Sequence, residues 1–426
     1  MIQLIRQYTV LLLILIIFNL QSFGNEPAKD NETIKIDSVT IRKNWRTKEE
    51  IILRELNINK GDNVTESQIE NSIARIWNIG NFAKVSYTID TLETGKLLLN
   101  ITAQDALTIM PVLSFIGNRE EYKLDLGIFD NNMLGRNISL GLEGSFGTNA
   151  RYGNINIGIP RQLLYRNMTI GGRFSYGTTS AYRYEEGVKV SGVEYSHSDI
   201  NMYIGNPWHD DYSYKFSPDL SLGYFNHQTD SALSEQGISQ PSAYTVNYLT
   251  VATAESIGLM NRKRHQREGY NISAGIGAGI GLSVMSPAYV SAGLSGVYSK
   301  LLGRLLQIDG SISSGYTTTG LPSLINYLGP GHVKGILSGE RAGKSIISST
   351  IALRLTYINR NWFAMEQSFF INAGNAADVY WHLFNTSPLA SAGSSIRLMV
   401  PMIPWLAISF HYAWMGNAEH WFSADF

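Results

Sequence analysis

The chain has 426 residues and a formal net charge of -1, with no basic excess to suit nucleic acid and no acidic tract to suit a disordered tail. Charged residues are 16% and aromatics 11%, with 23 Tyr, 8 Trp and 40 Gly; soluble domains usually carry about 25% charged residues. This balance suits a barrel with aromatic girdles and also a soluble carbohydrate-binding β protein, while the absence of cysteine excludes disulfides, thiol catalysis and thiolate metal sites.

The amino terminus reads as a signal peptide over residues 1–24. Arg6 supplies the positive charge, Val10–Phe18 the apolar run, and Ser22-Phe23-Gly24 the small-residue cleavage site. A membrane anchor is the competing reading, but the run is about half of the ~20 residues needed to span a bilayer. No later segment is long and apolar enough for a transmembrane helix. Residues 25–33 read as a polar linker.

Residues 34–105 read as one small α/β module. Ile34, Ile36, Val39 and Ile41 mark a strand. Thr47 and Glu50 have the spacing of a capping box for a helix carrying Ile51, Ile52 and Leu56. Gly61-Asp62 is a turn. A second helix starts near Thr65 and places Ile69, Ile73, Ile76 and Trp77 at helical spacing. Phe82–Ile89 and Lys96–Thr102 are strands joined at Glu93-Thr94-Gly95, so the expected order is β-α-α-β-β.

From Leu107 the helical period gives way to alternation over residues 106–426. Leu124, Leu126 and Ile128 alternate with Lys123, Asp125 and Gly127; Ile351, Leu353 and Leu355 alternate with Ala352, Arg354 and Thr356. Successive strand residues face opposite sides of a sheet. An Ile/Leu face opposite one bearing Arg, Glu and Asn suits lipid outside and a wet lumen inside. A soluble sandwich also alternates; charged residues within the strands favour the barrel. The connections around Ser231–Tyr244 and Ile257–Glu268 read as extracellular loops. At roughly 20 residues per strand and loop, with strands of ~9–11 residues, the expectation is a transmembrane β-barrel of about 16 antiparallel strands.

Candidate chemistry is thin. Ser338–Ser345 approaches a phosphate-binding loop, but Ser338 replaces the first Gly and a strand rather than a helix follows. Gly275, Gly277, Gly279 and Gly281 share a strand face, read as room for a loop inside the barrel or as a local thinning of the wall. The eight His have no helical metal spacing. His209-Asp210-Asp211 reads as a solvated turn, with cation binding the alternative, and Ser409 with His411 lacks an orienting third group. Trp405, Tyr412, Trp414, Trp421 and Phe422 read as girdle aromatics. No catalytic residue, cofactor or metal is expected.

The module over residues 34–105 resembles a POTRA domain, through Gly61-Asp62 between the helices and Asn78–Val85 leading into a strand. The remainder resembles the barrel of the BamA/TamA superfamily (bacterial surface antigen family). Asp130, Asn132, Gly135 and Arg136 match its Asp-x-Asn-x-x-Gly-Arg turn. Val333, Lys334, Gly335 and Ile336 match its Val-Arg-Gly-Phe/Tyr motif on a loop that folds into the lumen. Phe370, Asn372 and Gly374 match the Phe-x-Asp-x-Gly strand that receives it. Lys334 and Asn372 replace the family's Arg and Asp, so a bidentate pair would become an ammonium–amide contact. The loop is then held less tightly, or through partners such as Glu366 or Arg341.

The resemblance implies a protein of the outer membrane of a Gram-negative bacterium, with the POTRA-like domain in the periplasm and outer-membrane lipids around the barrel. Its implied work is assembly of client β-barrels or translocation of secreted polypeptides, with periplasmic or lipoprotein partners and no nucleic acid. Client strands would be templated by β-augmentation at a seam between Leu107–Phe115 and Glu419–Phe426. Pro111 would weaken that seam for want of an N–H, and Phe426 reads as a barrel recognition signal or as simple hydrophobic termination. The alternatives are a scaffold subunit without insertase activity and a passive outer-membrane channel.

Overall fold

The computed structural model describes residues 33–425, except 93, 118–120, 160–168, 186–187, 208–213, 229–242, 264–265, 361, 401–406 and 416–419. The signal peptide, most of the linker, His209-Asp210-Asp211, the Ser231–Tyr244 loop up to residue 242, Trp405 and Phe426 therefore lie outside the described residues, as do the side chains of Trp421 and Phe422.

The amino-terminal module opens with β1 (Ile34–Lys35) and β2 (Ser38–Arg42), continues through α1 (Glu49–Leu56), β3 (Asn63–Val64) and α2 (Glu66–Asn78), and ends with β4 (Phe82–Thr91) and β5 (Leu97–Asp105). The single first strand expected from Ile34 to Ile41 is in fact broken. β1 turns away to pair with β3, while β2 runs parallel to β5, which pairs antiparallel with β4. The helices cover one face of this sheet. Ile52, Leu56, Ile69 and Ile76 are fully buried with Leu99 and Ile101, each such burial stabilising by about 1.5–3 kcal/mol.

Helix α2 starts where its sequence directs. The Thr65 hydroxyl accepts from Gln68 N at 3.2 Å and the Gln68 side chain accepts from Thr65 N at 2.8 Å, satisfying two otherwise orphaned donors. Helix α1 ends at Asn57 in the left-handed region, φ 52°. The Arg75 guanidinium donates to the carbonyls of Glu55 and Leu56 there, a favourable cation at the negative end of a helix. Thr47 departs from expectation: Lys48 is the cap residue of α1 and supplies no side-chain bond. The Thr47 hydroxyl is committed to Asp105 and Asn132 instead.

The barrel follows in chain order as β6 (Ile109–Gly117), β7 (Tyr122–Met133), β8 (Ile138–Gly147), β9 (Ala150–Ile159), β10 (Thr169–Glu185), β11 (Val188–Pro207), β12 (Tyr214–Gln228), β13 (Tyr244–Ile257), β14 (Met260–Lys263), β15 (Gln266–Gly281), β16 (Tyr289–Leu302) and β17 (Leu306–Thr317). A lumen hairpin, β18 (Asn326–Leu328) with β19 (Arg341–Gly343), interrupts it before β20 (Ser345–Asn359), β21 (Ala364–Ala377), the short helix α3 (His382–Asn385), β22 (Leu389–Met399), β23 (Ala407–Met415) and β24 (His420–Asp425). β13 and β14 are two parts of one strand, both paired to β15, so 16 antiparallel strands close the ring among the described residues. Closure gives every strand of the ring a neighbour on both sides, as a sheet in hydrocarbon requires, although β6 and β24 meet over only part of their length.

The alternation resolves into two environments. Ile351, Leu353 and Tyr357 lie on the outer face. Between them Arg354 turns inward and reaches Asp309 on β17 at 2.8 Å and Glu366 on β21 at 3.5 Å. Gln307 donates to the same Asp309 at 2.7 Å. These charges sit in the lumen wall, where burying them is supported by cross-strand pairing.

Two expectations about the wall change. The Ile257–Glu268 connection lies at the POTRA end, not the far rim. Gly258, at φ +114°, bends the strand there, and Asn261 on β14 accepts from Asn78 of α2 at 3.3 Å. The glycine row of β15 does face inward, and among the described residues its nearest neighbours belong to the adjoining strands and the turn at Ser286, not to the lumen loop. A Cβ on Gly279 would stand 2.0 Å from the Tyr289 ring, and one on Gly281 1.6 Å from the Ser286 carbonyl. The row makes room for a neighbouring strand's tyrosine and a tight turn.

Candidate functional site: the lumen loop, the domain joint and the seam

The segment between β17 and β20 folds into the barrel. Thr317 N and the Asn326 amide both donate to the Lys344 carbonyl, at 2.8 and 2.9 Å, closing its base. Leu328, Val333 and Ile336 are fully buried against Ile346 of β20 and Ala376 of β21. The fit depends on Gly374: a Cβ there would lie 2.8 Å from Leu328 and 2.9 Å from Val333. Gly335 turns the chain at φ +97°. The loop motif and its receiving strand, Phe370, Asn372 and Gly374, thus come together.

Lys334 and Asn372 do not pair directly. The Lys334 ammonium lies 3.4 Å from His411 Nδ1 and 5.6 Å from the Phe370 ring centre. Ser391 on β22 is the bridge, with its hydroxyl 2.5 Å from the Lys334 carbonyl and 2.5 Å from the Asn372 side chain. A hydroxyl carries one proton. It goes to the Lys334 carbonyl or to Asn372 Oδ1, the two acceptors that the hydroxyl faces. Of the two substitute partners considered from sequence, Glu366 stays with Arg354 and Thr356. Arg341 does hold the loop, donating to Asn375 at 2.5 Å and to the Ser387 carbonyl at 2.6 Å. His411 faces Lys334 through its Nδ1.

The loop crosses to the opposite wall. Tyr184 N on β10 donates to the Gly339 carbonyl at 3.3 Å. The Glu121 carboxylate, at the tip of the β6–β7 hairpin, accepts from Ser338 N at 3.1 Å and from the Tyr184 hydroxyl at 2.8 Å. Gly339 and Gly343, read at first beside a phosphate-binding pattern, allow this close passage: Cβ atoms would lie 1.9 Å from the Tyr182 carbonyl and 2.4 Å from Ala377 backbone. Burial lowers the His332 imidazole below its ordinary pKa and raises the Tyr327 phenol well above its own.

The Asp130–Arg136 turn is the joint between domains. Arg46 of the POTRA-like module pairs with Asp130 at 2.7 Å, Asn132 donates to Thr47 at 2.8 Å, and Asn81 donates to Asn137 at 2.8 Å. Asn132 is fully buried, and Lys48 N donates to the Gly135 carbonyl at 2.9 Å. Gly135, at φ +70°, leaves no space for a Cβ, which would lie 2.0 Å from the Arg46 carbonyl. Arg136 is exposed beside it. The places of Arg46, Thr47, Asn81 and Asp105 in this joint had no sequence signal, since their partners are dozens of residues away.

Among the described residues, the seam between β6 and β24 is a short ladder. It runs from Ser114↔Asp425 to Gly117↔Phe422, four residue pairs, whereas β6 pairs with β7 over nine. Among the described residues, Ile109–Leu113 have no partner on the β24 side. Pro111 lies in that stretch, on the lipid face, so it weakens none of the four pairs; it occupies an edge, where a missing N–H costs least. Among the described residues no cluster of three His, Asp or Glu could hold a metal ion.

Among the described residues, a small α/β module is locked to a 16-stranded barrel with a loop folded into the lumen, a fold shared with the solved structures below. Residues 34–104 match the POTRA family, described as surface antigen variable number repeat. A putative outer membrane protein assembly factor of Treponema pallidum (strain Nichols) is 20% identical over 186 residues, 42% of this chain. The match spans 22% of that relative's length. Among solved structures, CdiB from Escherichia coli superposes with a TM-score of 0.62 at 10% identity, over 92% of this chain and 76% of that one. BamA from Haemophilus ducreyi lacking POTRA domains 1–3 gives 0.52 at 15% identity, over 92% and 84%. CdiB from Acinetobacter baumannii gives 0.55 at 14%, over 92% and 74%.

Proposed function

We propose that this protein resides in the outer membrane, its POTRA domain in the periplasm, and there assembles client barrels or translocates a client polypeptide. The client strand adds to the sheet at the β6–β24 seam. The observation that carries this reading is the four-pair ladder beside the unpartnered Ile109–Leu113 edge. Each ladder hydrogen bond contributes about 0.5–1.5 kcal/mol net, so opening four pairs costs far less than opening any full-length neighbour. An extended client segment can pair with the exposed groups it leaves. No covalent chemistry enters this mechanism. The similarity to an assembly factor and to BamA and CdiB folds supports the reading, and the loop spanning the lumen weighs against a passive channel.

The test is a disulfide across the seam, Ser114→Cys with Asp425→Cys, in a chain that has no cysteine of its own. The oxidised protein should fail to support the outer-membrane proteome in depleted cells and recover on reduction. Selective loss of other barrels on depletion indicates assembly, and loss of one secreted protein indicates dedicated export. A locked seam that supports both normally refutes templating there. An outer membrane unchanged by depletion removes both transport roles, leaving scaffold or channel.

A further inference from the structure

The lipid-facing wall over β7–β10 is not smooth. It holds a groove of about 630 Å³. Its floor is the cross-strand pair Gly144↔Gly153, flanked in the same row by Leu126 on β7 and Tyr176 on β10. The next row toward the POTRA end, Leu142, Ile155 and Phe174, is apolar and exposed. The hollow is therefore open to hydrocarbon.

A charge stands beyond its lining, toward the far rim. Arg151 lies two residues before Gly153 on the same outward face, about 7 Å along the strand at ~3.4 Å per residue. It sits in the second position of β9, at the rim away from the POTRA domain, and pairs across to Phe146. Arg151 is exposed, and no described carboxylate lies within ion-pair distance of it. A guanidinium on a lipid-facing surface is costly at the bilayer midplane and tolerated near the interface. There it faces the headgroup layer, where a phosphate can take two of its parallel N–H donors.

We infer that this groove is a binding site for one anionic, phosphate-bearing lipid of the outer leaflet, its acyl chain over Gly144 and Gly153 and its phosphate on Arg151. The phenol of Tyr176, 64% exposed on the groove wall, is an amphipathic side chain of the kind that lies at the interface. The site is independent of the seam and of any client, so it stands whether or not the transport reading holds.

The test uses the full chain purified in detergent and examined by native mass spectrometry with phosphatidylglycerol, phosphatidylcholine or inorganic phosphate. The wild type should retain one phosphatidylglycerol at collision energies that strip phosphatidylcholine. Arg151→Ala should lower that retention about tenfold, the loss expected for a charge-assisted contact, and Arg151→Lys should recover part of it. Gly153→Leu fills the groove and should abolish retention with the charge intact. A Cβ at 153 meets nothing closer than 3.7 Å, so that variant keeps the fold; heat-modifiable gel mobility verifies it. Equal retention of both lipids, retention unchanged in Arg151→Ala or Gly153→Leu, or full displacement by inorganic phosphate would overturn the site.

Discussion

Replacing Gly135 by Ala isolates the joint between the two domains. The residue sits at φ +70°, and its Cβ would stand 2.0 Å from the Arg46 carbonyl. Left-handed backbone costs a residue with a Cβ roughly 1–2 kcal/mol. Relieving the contact moves Arg46 and Lys48 away and breaks the 2.9 Å bond from Lys48 N to the Gly135 carbonyl, worth about 1 kcal/mol. The sum, about 2–3 kcal/mol, shifts the docked-to-undocked ratio roughly 30- to 150-fold. Neither the module's core nor the barrel ladder is touched, so both should stay folded while their relative orientation broadens. Spin labels at Lys60→Cys and Arg304→Cys, read by pulsed dipolar spectroscopy, measure this directly. Gly61→Ala is the control: it has φ +93° and nothing within 4 Å of a Cβ, so it bears backbone strain without disturbing the joint. A Gly135→Ala distance distribution as narrow as wild type would refute the reasoning.

Three further outcomes follow from the lumen loop. Gly374→Val should expel the loop, since its side chain would overlap Leu328 and Val333 and overpacking costs about 1–3 kcal/mol before larger clashes; planar-bilayer conductance should rise, and an unchanged conductance contradicts the packing account. Ser391→Ala removes the bridge between the Lys334 carbonyl and Asn372, leaving buried groups unsatisfied at about 1–3 kcal/mol; amide exchange over residues 329–337 should quicken tenfold or more, and equal protection would count against the bridge. His332 has a folded pKa below its unfolded value of about 6.5 because burial disfavours the imidazolium. The closed loop is then at full strength above the unfolded pKa and weakens as pH falls from there toward the folded value. Opening events should become more frequent at pH 5 than at pH 7.5, and His332→Gln should flatten that dependence; a wild type with no pH response removes the argument.

Much of this protein was legible in its residue order because its two dominant signals are local. A period of two in Ile351–Thr356 and a period near 3.6 in Ile69–Trp77 follow from the geometry of one element facing one apolar phase. The helix start near Thr65 was readable, while its mutual cap with Gln68 came from the structure; Thr47 and Glu50 have capping-box spacing, yet Thr47 went to Asp105 and Asn132. A hydroxyl takes the partner that burial leaves needing it, and sequence spacing does not record burial. The loop motif and the strand that receives it were placed by resemblance, but not the contact itself. Ser391 entered between Lys334 and Asn372 from a strand that sequence does not mark as adjacent.

The sequence by itself determined which segments alternate, which face of each is apolar, and that a small α/β module precedes them, since each is a property of neighbours along the chain. Only the tertiary structure decided that Gly135 is a docking point, that Gly279 admits a tyrosine, that Pro111 lies beyond the four-pair seam, and that Gly144 and Gly153 line a groove. Those depend on register between strands, and register is fixed when the ring closes, by every ladder at once.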